Sequence, residues 1–147
     1  SCTIVTPDLE EAAALLGSDP LHAGSRTDVA AELGQRHGCA VLLDAGQWAG
    51  QRVAVLWHRG EAVHFAQEPV NGTSRHGTGC ILSAAVCALL ARGATLVEAC
   101  ARGLAFAHDA QARGAVVDGS PPERLAAIEN ASYDSRGLNG VRRAHRG

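Results

Sequence analysis

The chain contains no lysine: all 13 of its basic residues are arginine. That absence excludes a P-loop nucleotide site, which needs a lysine on the phosphates, and any enzyme that works through a lysine Schiff base. Long apolar runs are also missing, as is a charged leader followed by an apolar segment, so nothing reads as a membrane span or an export signal. The five cysteines (Cys2, Cys39, Cys80, Cys87, Cys100) are odd in number and form no C-x-x-C pair. That usage fits a reducing, cytoplasmic setting. For Cys39, Cys87 and Cys100 the expected role is that of small buried hydrophobes. A formal net charge of −2 gives no basic surface for nucleic acid or for an anionic membrane.

What is present is a globular composition, 46% apolar and 19% charged over 147 residues. That length suits one domain with a real core. Residues 1–131 are expected to form it, and the Gly-, Arg- and Asn-rich stretch 132–147 reads as a mostly disordered basic tail. No internal repeat is visible.

Strand and helix signals alternate. Thr3–Thr6 reads as a short buried strand stopped by Pro7. Asp8 then opens a helix to Leu16, with Glu11 completing a capping box and Gly17 ending it. A second helix is expected from about Thr27 to His37, closed by Gly38. Ala40–Leu43 reads as a strand inside a parallel sheet. Val53–Trp57 and Ala62–Phe65 read as a hairpin turning at Arg59-Gly60. A nearly all-apolar helix follows Gly77 and is expected to be buried on most sides. Thr95 and Glu98 box the start of another helix running to about Arg113, and Ser120-Pro121-Pro122-Glu123 can begin a last short one. The expected class is α/β: a layered, mainly parallel sheet flanked by helices, with one antiparallel hairpin.

Chemistry concentrates in Arg75-His76-Gly77-Thr78-Gly79-Cys80. Glycines let the backbone turn tightly and approach a ligand, and the N–H groups of the helix that follows favour an anion such as phosphate. A cysteine in the first turn of that helix is placed to act as a base or nucleophile. The bland reading of Cys80 is a buried core thiol; its place after two glycines favours function. Asp8 and Glu11 form a good helix cap, and capping alone would explain both. His76 reads as a residue that orients the turn. His58, His64 and His108 show no spacing that would complete a cysteine-hydrolase triad with Cys80.

These residues resemble a known family. His76–Cys80 with Leu82-Ser83-Ala84-Ala85 is similar to the signature of the hydroxymethylpyrimidine (phosphate) kinases of thiamine biosynthesis, within the ribokinase-like superfamily. Thr6-Pro7-Asp8-Leu9-Glu10-Glu11-Ala12 is similar to that family's T-P-N-x-x-E-A segment, and Val41–Gln47 occupies the place of its strand and K-G-G-H segment. The resemblance implies a ribokinase-like fold, present in part, and transfer of the γ-phosphoryl of ATP to a pyrimidine's hydroxymethyl group or its monophosphate. It implies an anion hole at Gly77, Thr78 and Gly79, with Cys80 taking the hydroxymethyl proton. It also implies Mg2+ held through water by Asp8 and Glu11, with Asp8 in place of an asparagine.

Two departures stand out. Asp44 occupies the place of the family's lysine, a charge reversal that needs an arginine such as Arg52 or Arg75 to compensate. The family's substrate-binding N-terminal part has no counterpart here, so an uncovered sheet edge is expected to drive self-association. Pyridoxal kinase is the neighbouring alternative within the class. A non-catalytic module that keeps the fold is the alternative outside it.

Overall fold

A computed structural model of the chain describes residues 2–17, 25–70, 78–113 and 142–143. They belong to two compact units, one built from residues 1–69 and 140–147, the other from residues 70–139.

The first unit holds a sheet in the order β1 (Ile4–Val5), β2 (Ala40–Trp48), β3 (Gln51–His58), β4 (Glu61–Gln67), β5 (Arg142–Arg143), with helices α1 (Leu9–Leu16) and α2 (Arg26–His37). The β1–β2 pair is parallel, Ile4 opposite Ala40 and Val5 opposite Val41. The pairs β2–β3, β3–β4 and β4–β5 are antiparallel. The sheet is therefore mixed, and its antiparallel part is wider than the single hairpin the sequence suggests. β5 lies within the stretch expected to be a tail; the rest of 132–147, and the helix expected at Ser120, lie outside the described residues.

Helix boundaries follow from capping. Asp8 accepts the Glu11 N–H at 2.8 Å while the Glu11 carboxylate accepts the Asp8 N–H at 2.9 Å. Ser25 and Asp28 form the same box at α2, which starts one residue before the expected Thr27. Gly17 and Gly38 close the two helices in the left-handed conformation. The Arg36 guanidinium donates to the Leu16 carbonyl at 3.0 Å, covering one of the carbonyls left open at the end of α1.

The core is built on β2. Val41, Leu43 and Ala45 point to one face and pack with Ala12 and Leu16 of α1, Val29, Ala30 and Leu33 of α2, and Val55 of β3. Leu42 and Leu56, directly opposite each other on the other face, are also fully buried. A strand buried on both faces must be apolar at every position, which is why Ala40–Leu43 shows no alternation.

β2 runs five residues beyond the expected Leu43 and turns into β3 through Ala49-Gly50. Both turn residues have positive φ (50° and 80°), as do Arg59 and Gly60 (53° and 85°) between β3 and β4. Paired positive φ values match the twist of two-residue hairpin turns. The second hairpin was legible as Arg-Gly. The first has alanine at a position where asparagine or aspartate is the usual signal, and the polar stretch Asp44–Gln47 masks the strand. Between Asp44 and Gln47 the ladder shifts by one residue, a bulge with Gly46 at φ 71°. Arg26 holds this bulge, donating to the Ala45 carbonyl at 2.8 Å and to the Gln47 carbonyl at 3.4 Å. Its guanidinium also lies 4.8 Å from the ring centre of the exposed Trp48.

The second unit pairs α3 (Thr78–Ala91) with α4 (Leu96–Ala112). Thr95 and Glu98 cap α4 as expected, and Arg113 follows its last turn. α3 does not match the expectation of burial on most sides: only Thr78, Leu82 and Val86 are buried. The three are spaced i, i+4, i+8, a single stripe of the kind that meets one neighbouring helix. Gly103 of α4 makes that approach close, since a Cβ there would meet Val86 Cγ2 at 2.7 Å. Ala84, Cys87 and Ala88 are exposed, so Cys87 is not the buried hydrophobe expected of it. Cys39 and Cys100 are.

Gly34 sits within α2, where glycine costs about 1 kcal/mol relative to alanine in helix propensity. It is required by packing: a Cβ there would lie 2.0 Å from Cε3 of Trp57. Gly34→Ala should therefore destabilise the fold by about 1–3 kcal/mol despite its better propensity. Chemical denaturation would read this, and an unchanged or raised midpoint would refute the packing account.

Candidate functional site

The sequence-predicted residues fall into two groups, one on each compact unit. Thr78, Gly79 and Cys80 are the first three residues of α3. Gly77, Arg75 and His76 lie outside the described residues. Thr78 is 4% exposed, and its Oγ1 is buried without a hydrogen-bond partner. A buried hydroxyl left unpaired costs free energy until something supplies the missing bond. Gly79 is open, with nothing within 4 Å of a Cβ built there. Cys80 is exposed. The first four N–H groups of a helix have no intrahelical partner, and its dipole favours negative charge there. A bare glycine, an unpaired hydroxyl and a solvent-facing thiol therefore share one helix terminus. The Ser83 hydroxyl donates back to the Gly79 carbonyl at 2.8 Å, bracing the same turn.

The thiols differ in what they can do. Burial pushes the Cys100 thiol up to about 12, so it stays protonated and inert at neutral pH. Cys39 is also raised, first by burial and then by its neighbour Cys2. Cys80 combines a helix N-terminus with access to solvent.

Asp8 and Glu11 come together at the start of α1, and both are exposed. The capping box uses Asp8 Oδ1 and Glu11 Oε2, which leaves one oxygen of each carboxylate outside those two bonds. Among the described residues no group of three or more His, Cys, Asp or Glu could cage a metal ion. A hydrated Mg2+ keeps several waters and takes one or two carboxylates together with substrate phosphates, and Asp8 and Glu11 are the two acids that the resemblance assigns to it.

Asp44 follows directly from this geometry. Its N–H donates to the Pro7 carbonyl at 2.9 Å, so it lies beside the segment that leads into Asp8. Its carboxylate accepts the Gly46 N–H at 3.2 Å and is ion-paired with Arg52 at 2.5 Å. Arg52 is thus the compensating arginine the sequence called for. Both side chains are less than one-third exposed, so the pair is shielded better than an ordinary surface pair. Sequence reasoning missed Arg26 and Trp48, because the bulge that unites them shows only in the strand register.

Parallel β1–β2, helices α1 and α2, and the apolar helix α3 fit an α/β fold of the ribokinase-like class. Solved structures bear this out: pyridoxal kinase from Staphylococcus aureus, in complex with AMP-PCP, superposes with a TM-score of 0.67 at 26% identity, over 77% of this chain and 42% of that one. The phosphomethylpyrimidine kinase family profile matches residues 1–120, and the chain belongs to that family. It is 39% identical over 111 residues to the hydroxymethylpyrimidine/phosphomethylpyrimidine kinase of Rhizobium meliloti, covering 73% of this chain and 41% of that protein. To the enzyme of the same description from Salmonella typhimurium it is 40% identical over 106 residues, 66% of this chain and 39% of that protein. The chain thus spans about two fifths of the length of these relatives.

Capping and metal roles for Asp8 separate by substitution. Asp8→Ala should cost about 1 kcal/mol of stability, whereas Asp8→Asn, which caps equally well, should change it by no more than a few tenths. Thermal or denaturant melts of the two variants check this, and equal losses would rule out the cap.

Proposed function

We propose that this chain carries the phosphate-handling part of an ATP- and Mg2+-dependent kinase that phosphorylates hydroxymethylpyrimidine, its monophosphate, or both, in thiamine biosynthesis. The observation that carries the reading is the start of α3, with the unpaired Thr78 hydroxyl, the unobstructed Gly79 backbone and the accessible Cys80 thiol on one turn. Membership of the family, and its curated relatives' names, supply the substrate class.

In this reading the γ-phosphate lies on the N–H groups of the Gly77–Gly79 turn, and Thr78 Oγ1 gains the bond it lacks. With the alcohol as acceptor, its hydroxymethyl oxygen forms the new P–O bond as the bond to the ADP oxygen breaks, and its proton passes to Cys80 Sγ as thiolate; with the monophosphate, a phosphate oxygen forms that bond. Asp8 and Glu11 would hold Mg2+ through water, and the ion would supply neutralisation of phosphate charge. With no lysine in the chain, the remaining positive field comes from the helix terminus and from arginine. Positioning and charge stabilisation carry most of such a reaction, and the base contributes less.

Pyridoxal is the second substrate reading, favoured by the likeness to the Staphylococcus aureus pyridoxal kinase. ADP release with hydroxymethylpyrimidine, its phosphate and pyridoxal distinguishes the two. Cys80→Ala should slow the preferred reaction by a factor of about 10²–10⁴; turnover equal to that of the parent chain would remove Cys80 as the base. Nucleotide binding by calorimetry, with and without Mg2+, tests the non-catalytic alternative, which predicts weak binding or none in either condition.

We further propose that the chain self-associates. β1 is an edge of the sheet, two residues long and half-buried, and an edge strand offers unpaired N–H and C=O groups to another chain. Light scattering at micromolar protein should give a mass above that of one chain. A clean monomer with a single cooperative melt would contradict this.

A further inference from the structure

β1 and β2 enter their parallel pairing side by side, and each is preceded by a cysteine. The pairing of Ile4 with Ala40, and the Ala40 N–H donating to the Thr3 carbonyl at 3.1 Å, bring Cys2 and Cys39 to the same end of the ladder. There the two side chains lie close enough for Cys2 to influence the Cys39 thiol. Cys2 is exposed and its S–H also donates to the Ile4 carbonyl at 3.2 Å, while Cys39 is 9% exposed. Cys2 is thus the accessible member of the pair and Cys39 the buried one.

We propose that Cys2 and Cys39 are a thiol modification site that a peroxide converts to a disulfide across the parallel pair. The exposed Cys2 sulfur, as thiolate, attacks one peroxide oxygen; the O–O bond breaks, hydroxide leaves and takes up a proton to become water, and Cys2 becomes a sulfenic acid. The Cys39 sulfur then attacks the Cys2 sulfur, its proton leaves with the displaced hydroxyl as a second water, and the S–S bond forms. Two thiols lose two electrons, and one hydrogen peroxide is reduced to two waters. Accessibility orders the steps: Cys2 meets the oxidant, and Cys39 resolves it.

The raised position of Cys39, caused first by burial and then by Cys2, agrees with this division of labour, because it keeps the proton on the inner sulfur until Cys2 has been oxidised. The bond would close a loop running from β1 through α1 and α2 to β2. It would fasten the two-residue edge strand that leads to Pro7 and the Asp8 cap. Such a cross-link restricts the unfolded chain and so raises stability. None of this depends on the kinase reading.

The test uses the chain as it stands, treated under native conditions with hydrogen peroxide, blocked with an alkylating reagent and digested with trypsin. Cleavage after Arg26, Arg36 and Arg52 places Cys2 in peptide 1–26 and Cys39 in peptide 37–52. The expected result is recovery of these two peptides joined, two mass units lighter than their sum, and separated again by a phosphine reductant. The oxidised chain should also unfold at higher denaturant, and the gain should vanish on reduction. Cys2→Ser, a change at an exposed position, should abolish both effects while leaving the reduced protein's midpoint in place. Recovery of Cys2 and Cys39 on separate peptides while Cys80 or Cys87 is oxidised would overturn the proposal, as would joining of Cys2 to any other cysteine.

Discussion

Burial of the first half of β2, Ala40–Leu43, on both faces is the constraint on which the first unit rests. Val41 and Leu43 face α1 and α2, Leu42 faces the other way, and all three are almost wholly removed from water. Leucine-to-alanine changes at such positions typically cost 2–5 kcal/mol. β2 is also the strand that joins the parallel and antiparallel parts of the sheet. The same strand delivers Asp44 to the end of β1, beside the Asp8 cap. Core and candidate metal pair are therefore positioned by one run of nine residues.

Electrostatics in this chain is organised without a compact ammonium anywhere. Among the described residues, Arg52 neutralises Asp44, Arg36 covers the end of α1, and Arg26 binds the bulge and lies against Trp48. A planar guanidinium can do several of these at once, because its donors are held in a fixed fork and its face can stack. Asp44, where the resemblance implies a lysine, is consequently not an isolated negative charge. Arg52, eight residues on and paired across the hairpin, absorbs it.

What was legible in the sequence was local. The capping boxes at Asp8 and Thr95, the glycines that end α1 and α2, and the Arg59-Gly60 turn each depend on residues within about four positions of each other. The start of α3 was legible for the same reason, as was the expectation that Arg52 could offset Asp44. The illegible features depend on partners far apart in the chain. Ala49-Gly50 turns a hairpin because β2 continues past Asp44, and only the β2–β3 ladder shows that. The modest burial of α3 could not be read from its composition, because an apolar helix reports how much it can bury and not how many neighbours it has. Gly34 belongs here too: its reason is a tryptophan ring twenty-three residues away.

The bulge at Ala45-Gly46 acts as a change of phase. Upstream, odd-numbered residues of β2 face the two helices and even-numbered ones face away. One extra residue reverses that rule, so Gln47 joins Asp44 on the far side, opposite Arg52, and Trp48 swings to the helical side, where Arg26 meets it. A single-residue deletion there would restore the original alternation and carry the indole to the opposite surface, with the hairpin otherwise intact. The position of the most exposed aromatic ring among the described residues is thus decided by counting rather than by affinity.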